Sequence, residues 1–518
     1  MIYNTNMFWS YICNESQFVI NQIKEILTRK EYDFDTKTYN IRKFYQSINK
    51  IEIDNIIYES IRFPTGLIKF ITEKVAIQVE NLDRGFKKHT EQEVLNYANI
   101  VKEINPNFEI RDYQITACLA SLNNFQSLIH SSVGSGKTSI MSLVCKILSN
   151  DRILIMNGNN IILQQIYDRL LSFDITDVSW NPSKEPDYTK RIVLLNTKSS
   201  DERLNRQDEK YLDFLKNAVN TVIYDECQHL QALTNFEPLF YINENNLKHI
   251  IGYSGSPFRN YDHPYNNADD FTLIAIIGEP VFKYEMKDTI EDKNIAQPYS
   301  YFINYKNQEV WLPDHLKDNY FVQYRANIIY NKPRNRAGVE MLKFLDKNGV
   351  KTLASINNIK PGQNLMKTLK EEGVNSIFIC GDNTIHEWKE NKKGRLKLVT
   401  TDGGIDDVKQ AFDKGYNIIF GSTVMDEGVD IEEFQAVVLF SGGKTPIAGI
   451  QRVGRASRKK KTGKNISFVI DFKDVGGAYI FQNQYEKRKK MMADSGVINI
   501  PNVLDFCKMI EELNVDLE

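Results

Sequence analysis

The chain has few cysteines, and their spacing excludes two kinds of site. Only six of its 518 residues are cysteine, and no two of them have the CxxC spacing of a zinc site or of a redox-active dithiol. We therefore predict that they are reduced and mostly buried. They are Cys13, Cys118, Cys145, Cys227, Cys380 and Cys507.

Long apolar runs and a signal sequence are also lacking. Among the longest apolar stretches is FTLIAIIGEPVF at 271–282, which is shorter than the ~20 residues that span a bilayer. The first residues, MIYNTNMFWSYICNES, lack the basic start and small-residue cleavage site of a signal peptide. We therefore expect no membrane contact and a location in a cytoplasm.

The chain carries almost no net charge. Its 65 Lys and Arg residues are balanced by 67 Asp and Glu residues, giving a net charge of −2. This excludes the overall positive field of a protein that holds nucleic acid by charge alone. Two basic clusters remain, at 458–464 and 487–490, and each is either a solvated face or a local nucleic-acid contact.

What the chain does have is a rhythm of short β-branched runs and amphipathic stretches, which is typical of parallel sheets covered by helices. The rhythm begins near residue 125 and starts again after residue 300, so we predict two α/β domains in tandem after a small N-terminal α+β domain. The predicted domains are 1–104, 105–299, 300–477 and a helical extension at 478–518. The predicted strands are 127–130, 152–156, 191–196, 221–225 and 249–254, then 350–356, 375–380, 417–422, 436–441 and 466–472.

The stretch SSVGSGKTSI at 131–140 lies between a predicted strand and a predicted helix, which is the context of a phosphate-binding loop. Gly134 and Gly136 let successive backbone N–H groups face a polyphosphate, and the following helix offers its positive end. Lys137 would reach the β- and γ-phosphates, and Thr138 would place its hydroxyl on Mg²⁺. Alone, the pattern is also compatible with a chance glycine turn. The other loop residues expected to line a nucleotide are Ser132, Val133, Ser135 and Ser139.

A second motif, TVIYDECQHL at 221–230, ends a predicted strand with two carboxylates. Asp225 and Glu226 would lie at the carboxyl edge of a sheet, where open α/β sheets bind ligands. We expect Asp225 to hold Mg²⁺ through water and Glu226 to orient and deprotonate the attacking water. The alternative is an acidic strand end that faces solvent. The phosphate-binding loop upstream favours the catalytic interpretation.

Two further segments, SGSP at 254–257 and QRVGRASR at 451–458, complete a series. In order, the four segments resemble motifs I, II, III and VI of the superfamily 2 helicases and translocases. The resemblance covers about residues 105–475. It implies two RecA-like domains that clasp ATP and Mg²⁺ in their cleft, and an ATP hydrolase that acts on nucleic acid.

The resemblance also implies roles for residues around the nucleotide. RDYQ at 111–114 is similar to the segment ahead of motif I, in which Gln114 would read the edge of adenine and Arg111 or Tyr113 would line the base pocket. Gln114 could also be only a polar residue that starts a helix. The predicted coupling residues of motifs II and III are Gln228, Ser254 and Ser256.

Motifs V and VI imply groups that act on the nucleotide from the second domain. STVMDEGVD at 422–430 resembles motif V, with Gly428 and Asp430 near the ribose and the γ-phosphate. Arg455 and Arg458 lie three residues apart on a predicted helix, so both can face the same way and take the arginine-finger role. Domain closure would then follow ATP binding. Gln451 would support these arginines, and the alternative is a basic solvated helix.

The same resemblance implies contacts with a nucleic-acid backbone, which carry little sequence preference. NGNNIILQQ at 157–165 lies where the family has motif Ia, and there Gln164 fits the motif whereas Asn157 and Gly158 depart from it. The predicted nucleic-acid contacts are Asn157, Gln164, Asn196, Thr197, Asn357 and Ser422.

Within the superfamily the chain most resembles the UvsW-type helicases of tailed bacteriophages, through RFPTGLIKFI at 62–71 and NKPRNRAGVEML at 331–342. The tetrad DECQ differs from those that mark the RNA-remodelling groups. The resemblance implies a DNA-binding N-terminal domain and a monomer that acts on branched DNA in replication, recombination or repair, with recombination proteins as partners and RNA in hybrids as a substrate. Two alternatives stay open, an RNA helicase and the duplex-translocating motor subunit of a restriction or remodelling system.

One departure lies in the second domain. The segment at 383–404 is longer than expected for this loop and contains a possible strand, RLKLV. It is either an extra hairpin or wedge, or a tolerated surface insertion.

Overall fold

The structure is a computed structural model of the chain. It describes the chain outside a set of short segments. Those segments are 1, 5–7, 13–14, 34–37, 54–55, 82–86, 232–234, 236, 244, 260–262, 307–311, 318, 381–383, 392–393, 404–409, 423–433, 443–456, 458–464, 476–478 and 514–518.

Helices and strands alternate through most of the described chain. The helices are α1 (Gln17–Ile26), α2 (Ile68–Lys74), α3 (Glu91–Ile104), α4 (Asp112–Leu122), α5 (Lys137–Ile147), α6 (Asn160–Ser172), α7 (Thr197–Asn205), α8 (Glu209–Asn217), α9 (Glu237–Tyr241), α10 (Ala268–Ile277), α11 (Met286–Glu291), α12 (Asp314–Lys317), α13 (Tyr320–Tyr324), α14 (Lys332–Lys347), α15 (Ile359–Glu371), α16 (Tyr479–Asp494) and α17 (Val503–Glu511). The strands are β1 (Ile2–Asn4), β2 (Trp9–Ile12), β3 (Thr28–Asp33), β4 (Thr38–Lys43), β5 (Gln46–Ile53), β6 (Ile56–Pro64), β7 (Val79–Asn81), β8 (Gln126–Ser131), β9 (Ile153–Asn157), β10 (Val178–Ser179), β11 (Ile192–Asn196), β12 (Thr221–Asp225), β13 (His249–Ser254), β14 (Pro280–Tyr284), β15 (Gln297–Ile303), β16 (Thr352–Ser355), β17 (Ser376–Ile379), β18 (Thr384–Glu390), β19 (Leu396–Asp402), β20 (Ile418–Gly421), β21 (Ala436–Leu439), β22 (Ile466–Phe472) and β23 (Ile498–Asn499).

The first large sheet is parallel. Its seven strands lie in the order β10-β11-β9-β12-β13-β8-β14, with parallel pairing throughout the described register. Every residue of β9, β12 and β13 is buried, as expected for a parallel sheet with helices on both faces. All five strands predicted for this domain are present, so the α/β prediction is confirmed here.

The second large sheet has nine strands in the order β19-β18-β17-β20-β16-β21-β22-β15-β23. Its inner strands, from β17 to β15, pair in parallel, and the five strands predicted for this domain are present. Antiparallel β18 and β19 extend the edge beside β17. The unexpected segment at 383–404 is therefore built around a hairpin that continues the sheet.

The N-terminal part forms a separate, mostly antiparallel sheet. Its five strands lie in the order β5-β6-β2-β1-β7, and β3 pairs with β4 in a hairpin of its own. Helices α1 and α2 accompany these strands. The predicted order of a small α+β domain followed by two α/β domains is confirmed.

Helix α10 joins the N-terminal sheet to the first large sheet. Every residue of α10 except Asp269 is buried. The ring of Phe271 packs edge-on against those of Phe44 and Phe70, with ring centres 4.7 and 5.2 Å apart, and the Arg29 guanidinium lies 4.0 Å from the Phe271 ring centre. A helix that is apolar on all sides needs burial on all sides, which explains the long apolar run in this region.

A glycine sets the closest approach between these two parts. The segment PTGL at 64–67 passes over α10 so closely that a Cβ on Gly66 would lie 2.1 Å from the Ile274 carbonyl oxygen and 2.9 Å from that of Ala275. No side chain fits there without moving the backbone. This packing requirement accounts for the glycine in the segment by which the N-terminal domain resembles UvsW-type proteins.

An ion network is buried in the second α/β domain. Arg334 Nε donates to Asp474 Oδ1 at 2.8 Å, Arg488 Nε donates to Asp471 Oδ2 at 2.7 Å, and Arg488 Nη2 donates to Asp474 Oδ2 at 3.0 Å. The network ties α14 and α16 to the end of β22. Arg488 was predicted to belong to a basic surface cluster at 487–490, and its burial corrects that prediction because the guanidinium serves the interior of the domain.

By their contacts, the residues divide into two compact units. The first comprises Met1–Ser131 and Gly136–Tyr284, and the second comprises Ser132–Ser135 and Glu285–Glu518. β15 belongs to the second sheet and begins at Gln297, just before the predicted boundary at 300. The three predicted domain boundaries otherwise stay predictions. No helix in the described part of the chain has the length and apolar character needed to cross a membrane.

Replacing Gly66 by alanine should destabilise the first unit, because the new methyl group would overlap two backbone carbonyl oxygens that cannot rotate away. Overpacking of this kind costs about 1–3 kcal/mol of unfolding free energy, which urea unfolding would measure. Gly158→Ala is the matched control, since its Cβ would meet only Thr197 Oγ1, at an ordinary 3.6 Å. Equal loss of stability in the two variants would contradict the close approach at Gly66.

Candidate nucleotide and nucleic-acid site

Five strands of the first large sheet end at one edge, and most of the predicted site residues follow those ends. The last residues of these strands are Ser131 in β8, Asn157 in β9, Asn196 in β11, Asp225 in β12 and Ser254 in β13. Because the strands are parallel, their carboxyl ends form one edge, where open α/β sheets bind ligands. The structure thus brings together segments that are far apart in the sequence.

The phosphate-binding loop turns on two glycines. Gly134 has φ 83° and Gly136 has φ 81°, left-handed conformations that glycine adopts without strain. A Cβ on Gly136 would lie 2.6 Å from Gln114 Nε2, so the glycine also admits the Gln114 amide to the loop. Lys137 begins α5, and its Nζ donates to the Ser131 carbonyl oxygen at 3.2 Å. The predicted phosphate-binding lysine therefore points back along the loop.

The middle of the loop, Ser132–Ser135, belongs by its contacts to the second unit. The Ser132 hydroxyl lies 2.5 Å from that of Thr289 on α11, and Ser135 Oγ donates to the Ser132 carbonyl oxygen at 2.7 Å. Both serines are buried. Thr289 was not predicted, since nothing in its local sequence marks it. Three other predicted loop residues are half-buried, namely Val133, Thr138 and Ser139.

Asp225 is buried at the end of β12, with Asn157 beside it. Asn157 Nδ2 lies 3.2 Å from the Asp225 carbonyl oxygen and 3.4 Å from Oδ2. Burial raises the pKa of the Asp225 carboxyl group to about 7, the negative charge of Glu226 adds to the rise, and the positive charge of Lys137 opposes it. These three charged groups, predicted from two motifs that are far apart in the sequence, therefore interact in one site.

A chain of hydrogen bonds leads away from Glu226. Its backbone φ is 48°, an uncommon conformation for a residue other than glycine, and such strain clusters at functional sites. Gln228 Nε2 donates to Glu226 Oε2 at 2.8 Å, Ser254 Oγ donates to Gln228 Oε1 at 2.5 Å, and the Ser256 N–H donates to Ser254 Oγ at 3.0 Å. The three predicted coupling residues are thus connected to the carboxylate in the order of their motifs.

Aromatic residues lie beside the start of the loop. Gln114 is buried and its Oε1 accepts the Arg111 N–H at 3.1 Å, while Arg111 Nη1 donates to the Tyr113 hydroxyl at 2.9 Å. The Tyr113 ring stacks on Tyr284 with centres 3.9 Å apart and planes 7° apart. Tyr284 pairs with Ser131 in the strand register. Sequence reasoning missed Tyr284, whose only signal was its place at the end of an apolar run.

The turns after β9 and β11 are joined by one asparagine. Asn196 Oδ1 accepts the Lys198 N–H at 3.0 Å and caps α7, while its Nδ2 donates to the Gly158 carbonyl oxygen at 3.0 Å and to Asn160 Oδ1 at 2.7 Å. Thr197 is the first residue of α7. The amide of Asn196 thus builds this edge, and the nucleic-acid contacts of Asn196 and Thr197 stay predictions.

Two other predicted nucleic-acid contacts have their side-chain amides engaged within the protein. Asn157 is 3% exposed and its Nδ2 donates to the Asp225 carbonyl oxygen, and its nucleic-acid contact stays a prediction. Gln164 is exposed, but its Nε2 donates to Asp168 Oδ1 at 2.9 Å and its Oε1 accepts the Trp180 indole N–H at 2.9 Å. Its amide therefore positions Trp180.

The predicted residues of the second domain fall into two groups. Asn357 and Ser422 follow the paired strands β16 and β20, so both lie at the carboxyl edge of the second sheet. Asn357 is exposed and Ser422 is buried. The other predicted residues lie outside the described residues, namely Gly428, Asp430, Gln451, Arg455 and Arg458.

A metal ion at this site would depend on few protein ligands. Within the described ranges, His, Cys, Asp and Glu form no group of three or more that could hold a metal ion. Mg²⁺ keeps several waters and takes only one or two protein carboxylates beside phosphate oxygens. The Asp225 carboxylate and the Thr138 hydroxyl, which follows Lys137 in the chain, fit that requirement chemically.

Two family models match the chain. The model described as the res subunit of type III restriction enzymes matches residues 107–259, and the model of the helicase conserved C-terminal domain matches residues 339–460. Together they take in just over half of the chain. The first match includes the phosphate-binding loop, Asp225, Glu226 and the SGSP segment.

Relatives with assigned names match most of the chain. A helicase-named protein of the Sulfolobus islandicus filamentous virus is 21% identical over 390 residues, which are 70% of this chain and 64% of that protein. The DNA 3′-5′ translocase XPB2 of Sulfurisphaera tokodaii is 24% identical over 379 residues, which are 69% of this chain and 80% of that protein. The chain thus spans just under two thirds of the viral relative.

The fold has a solved counterpart. The structure of S. cerevisiae Dbp5 bound to RNA and ADP BeF3 is 14% identical in sequence and superposes with a TM-score of 0.51 over 81% of this chain and 97% of that one. This likeness concerns the fold alone. With the two matched domains in order along the chain, and with the loop, Asp225 and Glu226 assembled at one sheet edge, the chain belongs to the superfamily 2 helicases, which have two RecA-like domains.

Proposed function

We propose that this helicase is a DNA helicase or translocase that acts on branched DNA. The meeting of Lys137, Asp225 and Glu226 at one sheet edge carries the ATP-dependent part of the proposal. The DNA part is supported by the DECQ tetrad, by the resemblance to UvsW-type helicases and by a relative named as a DNA translocase. The proposed activities are branch migration, fork regression, unwinding of D- and R-loops, and annealing, in replication, recombination or repair.

Each residue of the site has a distinct task in ATP hydrolysis. Lys137 binds the β- and γ-phosphates. To do so, its amino group gives up its hydrogen bond to the Ser131 carbonyl oxygen and donates to phosphate oxygens instead. Glu226 accepts the proton of the attacking water, and Gln228 fixes the orientation of that carboxylate. Asp225 and Thr138 would hold Mg²⁺. When bound, the ion supplies positive charge to the phosphate oxygens.

The hydrogen-bond chain from Glu226 to Ser256 provides the coupling step. A change in the position of the Glu226 carboxylate alters the hydrogen bond to Gln228, which is bonded to Ser254. Ser254 and Ser256 are buried, so they cannot exchange these bonds for water without moving the SGSP segment. We infer that this segment responds to the state of the nucleotide. The opposing roles of Arg455 and Arg458 stay predictions.

A second candidate function is favoured by one family match. The model described as a restriction-enzyme subunit covers the first α/β domain, and such a motor would move along duplex DNA without separating its strands. An RNA helicase is the remaining alternative from the sequence. The three functions differ in the nucleic acid that stimulates ATP turnover and in the product that is released.

A panel of substrates should separate these functions. ATP turnover by the full chain should rise more with forked or four-way DNA than with linear duplex DNA or structured RNA, and strands of a labelled fork should separate. Lys137→Ala is the control that should lose turnover while it still binds DNA, because the loop lies apart from the proposed DNA contacts. Stronger stimulation by RNA, by an order of magnitude, would overturn the DNA proposal. Displacement of a triplex strand without fork unwinding would instead favour the duplex translocase.

Asp225→Asn should abolish ATP turnover yet raise the melting temperature, and the gain should grow as the pH rises from about 4 to about 7. The folded-state pKa of Asp225 is about 7, against about 3.9 in an unfolded chain. The folded protein therefore keeps a proton that the unfolded chain releases. This contribution is full below about pH 4 and is lost as the pH passes through about 7, where the wild type buries a charge and asparagine does not.

The control variant, Asp187→Asn, should change the stability with a pH dependence of the opposite sign. Hydrogen bonds from the Thr189 side chain and backbone lower the pKa of the exposed Asp187, so its contribution is present above the unfolded pKa and is lost as the pH falls. Asp187→Asn should therefore lower stability slightly at neutral pH and leave it unchanged in acid. A melting temperature of Asp225→Asn that follows the wild type at every pH, in buffer without Mg²⁺, would contradict the buried charge.

A further inference from the structure

A cavity of about 520 Å³ opens in the first unit, between the loop after β10 and the start of α7. Its size is within the range of about 300–1,000 Å³ that is typical of small-ligand sites. The residues that line it include Trp180, Asn181, Ser183, Lys184 and Lys198, together with the acidic residues Glu185 and Glu202. None of these residues belongs to the motif segments identified in the sequence. The cavity combines an aromatic residue with polar, cationic and acidic residues.

Trp180 is held in a fixed orientation. Its indole N–H donates to Gln164 Oε1 at 2.9 Å, and Gln164 Nε2 donates in turn to Asp168 Oδ1 at 2.9 Å on the next turn of α6. The ring is only half-buried. A tryptophan whose polar edge is anchored in this way presents a rigid aromatic face without the entropic cost of ordering it on binding.

The loop that carries Trp180 is also built before any ligand arrives. Asn181 Oδ1 accepts the Ser183 N–H at 2.9 Å, and Ser179 Oγ accepts the Asp187 N–H at 2.8 Å. Across the cavity, Arg203 Nη1 donates to Glu185 Oε2 at 2.5 Å. Arg203 Nη1 also donates to Asp208 Oδ2 at 3.0 Å, so one guanidinium is shared between the two carboxylates. The loop is thus a preformed wall.

The opposite wall belongs to the edge where the nucleic-acid contacts are predicted. Asn196 lines the cavity and caps α7, and Lys198 lies in the first turn of that helix. Asn196 Oδ1 already accepts the Lys198 N–H, so the group suited to a phosphate here is the Lys198 amino group. Because Lys198 and Trp180 line the same cavity, the cavity offers a cation for a phosphate and an aromatic residue for a base. A base stacks on an aromatic ring whatever its identity.

We propose that this cavity takes one unstacked base of a single DNA strand, with the base stacked on Trp180 and a neighbouring phosphate held at Lys198. The inference rests on the proposed function, since it assumes that a strand crosses this edge. It adds a base contact to an interface that the superfamily resemblance describes only through phosphates. Such a contact does not depend on the base sequence, and its contribution to the affinity for the strand is not weakened by salt.

The test is the affinity of nucleotide-free, full-length protein for a short oligothymidylate. Trp180→Ala should weaken binding by about tenfold, in line with about 1–3 kcal/mol per stacked base, and Trp180→Phe should retain most of the affinity. The dependence of affinity on salt should be the same in Trp180→Ala and wild type, because no phosphate contact is lost. Melting temperatures would show that both variants are folded.

Two further arms identify the groups involved. The wild type should bind an oligonucleotide with abasic positions about as weakly as Trp180→Ala binds the intact strand. Trp180→Ala should bind the abasic and the intact strands with the same affinity. Lys198→Ala should lower the slope of log affinity against log salt by about 0.7, the value for one phosphate on a single strand. Lys190→Ala is its control, a lysine 3.4 Å from Asp177 and outside the cavity walls.

Wild-type affinity in Trp180→Ala, or equal binding of abasic and intact strands by the wild type, would overturn the inference. The abasic arm uses only wild-type protein, so it decides the question even where a substitution unfolds the chain. If DNA also fails to stimulate ATP turnover by the wild type, the proposed function itself is wrong. If DNA stimulates turnover, and Trp180→Ala reaches half of its maximal turnover at the same DNA concentration as the wild type, only the proposed base-binding cavity is wrong.

Discussion

Asp225 ends β12 with its carboxyl group buried, next to the negative charge of Glu226 and within the field of Lys137. A buried carboxylate is costly unless a cation or a proton shares its site. The surrounding groups reduce this cost. Asn157 donates a hydrogen bond to Asp225, and the phosphate-binding loop brings the positive charge of Lys137 near it. Glu226 has a left-handed backbone conformation, and its carboxylate accepts a hydrogen bond from Gln228. A metal ion that arrives with a nucleotide would supply positive charge to the same carboxylate.

Much of the fold and the core of the site could be predicted from the sequence. The ten predicted strands are present because each is a short β-branched run, and such runs need burial on both faces of a parallel sheet. The positions of Lys137, Asp225 and Glu226 follow from the same pattern, since residues after parallel strands meet at one edge whatever their separation in the chain. The four motifs therefore gave both the fold class and the nucleotide site.

The sequence could not give the contacts that depend on which side chains face each other. Arg488 lies in a run of basic residues, and only the fold shows that it is buried against Asp471 and Asp474. Tyr284 and Thr289 reach the loop from segments with no motif. The amides of Asn157, Asn196 and Gln164 have the right chemistry for nucleic acid, yet each is engaged with other residues of the first unit. These hydrogen bonds fix the structure of the edge, and that of Gln164 holds Trp180 in place.

The most direct test of the account is ATP turnover and ATP binding by Glu226→Gln, measured with saturating forked DNA. Glutamine has the same shape and can still accept the hydrogen bond of Gln228, but it cannot take a proton from water. The account predicts that the variant binds ATP and DNA as the wild type does and loses turnover by about 10²-fold or more. Turnover at the wild-type rate would contradict the central claim that the edge formed by Lys137, Asp225 and Glu226 is the site of ATP hydrolysis.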